Sequence, residues 1–92
     1  MVVGSLRVRL LIREARTLKD KRQVVSSIKD RVRQRFNVSV AEVEAQEQRQ
    51  LTVLGFAMAG NDASYVRKTL QEIVEALRAH PVAEFLGHDM DV

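Results

Sequence analysis

The spacing of hydrophobic residues changes from a period of two to a period of about 3.6 and back, and then does so again, which leaves few architectures open. In "SLRVRLLI", Leu6, Val8, Leu10 and Ile12 fall on one side of a strand and Arg7, Arg9 and Leu11 on the other. In "TLKDKRQVVSSIKDRVRQRFN", Leu18, Val24, Val25, Ile28, Val32 and Phe36 recur at helical spacing and form one stripe. Thr17 fits the N-cap, with Asp20 three residues later as a short-armed capping-box partner. Asn37 is expected to close this helix in a left-handed conformation. Lys21 falls near the centre of the apolar stripe, and its long stem is expected to carry the charge outward to water.

After Asn37, "VSVAEVEAQ" reads as a second strand, "EQRQ" as a turn and "LTVLGFAMA" as a third strand. Val38 and Val40 share one face of the second strand while Ala41, Val43 and Ala45 lie on the other, so this strand is either bulged or apolar on both sides. Glu42 and Glu44 are expected to share a face and to pair with neighbouring arginines. On the third strand Leu54, Phe56 and Met58 point one way, and Leu51, Val53, Ala57 and Ala59 the other. Asp62 is the expected N-cap of a second helix with Val66, Leu70, Ile73, Val74 and Leu77 as its buried stripe. That helix ends near His80, before Pro81. "VAEFLGHDMDV" reads as a short final strand. The order β-α-β-β-α-β predicts an α+β, ferredoxin-like fold: an antiparallel sheet with both helices on one face, and residues 1–92 as one domain.

Charge is unevenly distributed. Residues 1–40 hold 11 Lys and Arg against Glu14, Asp20 and Asp30, a net +8. Residues 41–92 hold four basic residues against nine acids, a net −5. A basic half suits a polyanion such as RNA; a basic and an acidic half together equally suit an oligomer. The absence of Cys rules out disulfide and thiolate chemistry. The longest apolar run is too short for a membrane span and no signal-like segment opens the chain, so a cytoplasmic address is expected.

The segments "MVVGSLRVRLLI", "ARTLKDKRQVVSSIKDRVRQRFNVSVAEVE" and "LGFAMAGND" resemble the YlxP-like family of small bacterial proteins of unknown function. Leu18 to Arg22 and "FNVSVAEV" at Phe36 to Val43 carry the likeness most specifically. The resemblance implies a ferredoxin-like fold. It also implies, through the frequent placement of family genes near those for translation initiation and ribosome maturation factors, a role close to ribosomal RNA. Many relatives carry a His and a Trp in the hairpin, where this chain has Ala45 and Arg49, so roles of those side chains do not transfer.

On a helical wheel Arg22, Lys29 and Arg33 stand together with Lys19 at their edge, while Arg31 and Arg35 occupy the opposite flank. Lys19, Arg22, Lys29 and Arg33 are therefore the candidate nucleic-acid-binding residues. Arg7 and Arg9 are expected on the open face of the sheet, which lacks the stacking aromatics of an RNA-recognition sheet. The apolar excess on both sides of strands two and three suggests that this face is covered, most simply by a second copy in a homodimer. No catalytic constellation, cofactor loop or metal-ligand spacing stands out; His80 and His88 are isolated and expected to be solvated. The expected function is that of a non-enzymatic RNA-associated accessory protein, linked to ribosomal particles. The alternative is an interaction module whose basic half docks an acidic protein surface.

Overall fold

The computed structural model describes all residues, 1–92. The elements follow in the expected order: β1 (Val2–Leu11), α1 (Leu18–Arg35), β2 (Ser39–Glu44), β3 (Leu51–Gly60), α2 (Ala63–Arg78) and β4 (Glu84–Asp91). All strand pairs are antiparallel and the sheet order is β2-β3-β1-β4. This is the ferredoxin-like arrangement, with β1 and β3 central and β2 and β4 at the edges.

Register decides which side chains meet the helices. Leu6 lies opposite Phe56 and Val8 opposite Leu54, so the inward residues of the two central strands form one apolar sheet face. Val25, Ile28 and Val32 of α1, with Val66, Leu70, Ile73, Val74 and Leu77 of α2, complete the core over it. Burying each such side chain stabilises the fold by about 1.5–3 kcal/mol. Gly4 sets the seat of α2, because a Cβ there would lie 2.5 Å from Val66 Cγ1 and 3.0 Å from Leu70 Cδ1.

The second strand is bulged. Glu42 lies opposite Leu54 but Glu44 lies opposite Val53, and the register shift leaves Val43 as the extra residue. Glu42 therefore points to the helix side and Glu44 to the open side, which overturns the expectation that they share a face. A second bulge interrupts β4 opposite Arg9 and Leu10. That strand is longer than its composition suggests. Phe85 and Met90 pack on the core, while Gly87, Asp89 and Asp91 alternate onto the open face and dilute the apolar signal.

Helix ends match the expected caps at three of four positions. Thr17 and Asp20 form a complete capping box, and Asp62 caps α2 through the Ser64 N–H. The helix α2 stops at Arg78, with Ala79 as its C-cap. Asn37, however, does not take a left-handed conformation; the sole positive φ outside glycine is at Ala45, 64°. Phe36 leaves α1 in extended backbone, φ −128° and ψ 143°, while its N–H still bonds Val32. Its ring stays at the core margin, and the chain turns from α1 into β2 through extended backbone with no left-handed residue.

Candidate nucleic-acid interface

The flank begins at a well-fixed helix start. Thr17 Oγ1 accepts the Asp20 N–H at 3.1 Å, and Asp20 Oδ2 accepts the N–H groups of Arg16 at 3.0 Å and Thr17 at 3.2 Å. The Arg16 N–H contributes most to holding the Asp20 carboxyl below its ordinary pKa, against a smaller opposing effect of desolvation. Two orphan donors at the helix start are thereby satisfied.

From there Lys19, Arg22, Lys29 and Arg33 run down one side of α1, with Lys19, Arg22 and Arg33 exposed and Lys29 half-buried. Lys19, Arg22 and Lys29 form no ion pair within 4.0 Å. Arg33 is partly committed. Its Nη2 donates to the Val40 carbonyl at 3.2 Å, and its Nη1 lies 3.8 Å from Asp30 Oδ1. This places the flank beside the outer edge of β2. Arg31 and Arg35 sit apart, lining a cleft against Ala76, Leu77 and His80 of the other helix and its turn.

Lys21 departs most from expectation. It is fully buried, and its Nζ donates to the carbonyls of Ala45 at 2.7 Å, Leu51 at 3.1 Å and Gln46 at 3.3 Å. Glu42 Oε2 lies 3.0 Å from the same nitrogen and also accepts the Thr52 hydroxyl at 2.6 Å. The hairpin tip, turned inward at Ala45, closes over the ammonium before it could reach water. Every donor finds an acceptor, as a buried charge requires. One of the helix's seven cations is thus structural. The signal in the sequence was a Lys at the centre of an apolar stripe with an acid, Glu42, on the adjoining strand.

The hairpin also holds the β1–α1 connection. Gln50 accepts the Ile12 N–H at 2.8 Å through its backbone carbonyl, and its side chain donates to the carbonyls of Arg13 and Ala15. Between these loops lies an open cleft bearing Arg16 and Arg49, with Glu14 and Glu47. Arg16 precedes Lys19 by three residues and adds a cation at the same end of the helix. The wheel omitted both arginines because it considered only helical residues.

Glu42 is bound to Lys21, Glu44 lies 3.8 Å from Arg7 on the open face, and Glu47 is exposed on the hairpin, so the three do not converge. His80 is half-buried rather than solvated. Its Nδ1 accepts the N–H groups of Val82 at 3.2 Å and Ala83 at 3.0 Å, and burial, then the Arg31 charge, pushes its pKa down. His88 is also half-buried, with its ring 5.8 Å from that of Phe85. Arg7 and Arg9 lie on the open face as expected, and Phe56 points into the core.

The model of a family described as "Protein of unknown function (DUF503)" matches residues 3–90. This chain belongs to that family. It is similar to the uncharacterized protein YlxP of Bacillus subtilis (strain 168), with 31% identity over 83 residues that cover 90% of each chain. The resemblance carried by Leu18 to Arg22 and Phe36 to Val43 is thus an actual relationship. Membership of the DUF503 family brings no activity with it. No helix is long and apolar enough to cross a membrane.

Proposed function

We propose that this protein is a non-enzymatic, cytoplasmic RNA-associated accessory factor, which engages backbone phosphate through Lys19, Arg22, Lys29 and Arg33 and works on ribosomal particles. The observation that carries the reading is the unpaired state of Lys19, Arg22 and Lys29 along one helix flank, beside the exposed edge of the sheet. Cations that form no ion pair stay available to phosphate, and association releases the counterions condensed on the RNA. Arg16 and Arg49 lengthen the track beyond the helix start. The open sheet face does not compete for this role: it has no aromatic side chain on β1 or β3 and carries Glu44, Asp89 and Asp91.

Fluorescence anisotropy against structured RNA, single-stranded RNA and duplex DNA tests this across a salt series. Four phosphate contacts predict a log-log salt slope of about −3 to −4. Arg22→Glu/Lys29→Glu is the informative variant, because Arg33 also holds the Val40 carbonyl and its loss would mix binding with structure. Micromolar RNA binding that falls more than tenfold in the variant, with an unchanged circular dichroism spectrum, is expected. An absence of RNA binding even at low salt would sink the reading.

A further inference from the structure

The open face of the sheet has the character of an interface. The outward positions of central strand β3 are Leu51, Val53, Gly55, Ala57 and Ala59, none of them polar. A face built for water alternates polar residues there. Val53 is only 3% exposed although no helix covers that side and it is not part of the helix-side core.

The face is also levelled. A Cβ on Gly55 would lie 2.7 Å from Val43 Cγ1, and one on Gly87 2.5 Å from Arg9 Nη2. Both glycines thus let a larger neighbour lie flat across the sheet instead of standing up from it. Arg9, laid over Gly87, reaches Asp89 at 2.9 Å. Val3 and Val43 remain 58% and 43% exposed around a floor of Ser5, Ala41 and Ala57, and Leu86 at the β4 bulge is 48% exposed. A level surface with an apolar centre and charged margins matches another sheet at the usual face-to-face spacing of about 10 Å.

Charge selects the occupant. Arg7 and Arg9 stand among Glu44, Glu84, Asp89 and Asp91, so the face mixes both signs and nets −2, whereas α1 carries seven cations against two acids. A polyanion is repelled from such a face. A surface that bears both partners of its own ion pairs is complementary to itself, which a two-fold interface requires. Four strands about 4.8 Å apart and about eight residues long present about 500 Å², so two faces total about 1,000 Å², the lower bound for a specific interface. We infer that the open sheet face, centred on Ala57 and Ser5 over the buried Val53, packs against the same face of a second copy to form a symmetric homodimer.

Sedimentation equilibrium tests the inference, with Ala57→Glu as the disrupting variant and Lys68→Glu on the exposed side of α2 as the control. The wild-type protein and the control are expected at twice the 10.4 kDa of one chain, and Ala57→Glu at 10.4 kDa with an unchanged circular dichroism spectrum. If Ala57→Glu loses its fold, Leu86→Asn serves in its place and should raise the dimer dissociation constant at least tenfold. A wild-type mass of 10.4 kDa at about 200 µM protein overturns the inference, since mass action favours a dimer there. A folded Ala57→Glu variant that keeps the doubled mass overturns it too, by placing the contact elsewhere. Neither result bears on RNA binding by α1.

Discussion

Lys21 fastens four segments at one nitrogen: the first turn of α1, β2 through Glu42, the tip of the β2–β3 hairpin and the start of β3. Replacing it with Met keeps the stem but leaves Glu42 charged without its partner and three carbonyls without a donor. Breaking a buried pair from one side costs about 3–5 kcal/mol, and urea denaturation of Lys21→Met should show a loss of that size. Glu42→Gln should cost less, because an amide oxygen still accepts from Thr52 and the ammonium keeps its three carbonyls. This site was only half legible in the sequence. The wheel put Lys21 on the buried side, yet outward escape is the usual outcome for a lysine in a first turn. What decides against it is a hairpin tip 24 residues away, a contact that no local pattern encodes. Asn37 departs from expectation for a related reason: propensity favours a left-handed cap, but with Phe36 buried at the core margin the turn into β2 is made in extended backbone instead.

Among the elements, the link from α2 to β4 depends on His80, whose unprotonated Nδ1 accepts two backbone N–H groups. Its pKa is lower folded than unfolded, because burial and Arg31 oppose the imidazolium. The unfolded chain therefore takes up the proton first as pH falls. His80 contributes its full stability above about pH 6.5, and the contribution is lost as pH drops through the lower folded value. His80→Asn retains an acceptor that does not titrate, so denaturation series should show a shallower fall in stability below about pH 6.5 than in wild type. The contact between β1 and α2 is equally specific. Gly4→Ala forces a methyl toward Val66 and Leu70, and overpacking of this kind costs about 1–3 kcal/mol, readable in the same denaturation assay. Both helices and their stripes were readable from periodicity. The β2 bulge was readable only as an ambiguity, since apolar residues on both sides of a strand fit a bulge or a doubly covered strand equally well.

For the molecule as a whole, element order was enough to specify the fold, because few arrangements satisfy two β-α-β units with right-handed crossovers. The candidate interface was less legible. Wheel geometry separated Lys19, Arg22 and Lys29 from Arg31 and Arg35, but it could not show that Arg33 is tied to the sheet edge or that Arg16 and Arg49 approach the same end. Those placements depend on loops closing on one another. The central position of β1 has one more consequence, for synthesis. Leu11 pairs with Leu51 on one side and Glu84 on the other, so the strand made first among these elements waits for the last to be translated before both its edges are filled. Until then a nascent chain holds an apolar strand with one edge open, a state prone to mispairing and aggregation. Arg7 and Arg9, spaced along that strand, are charges of the kind that keep such an edge from joining its neighbours while translation finishes.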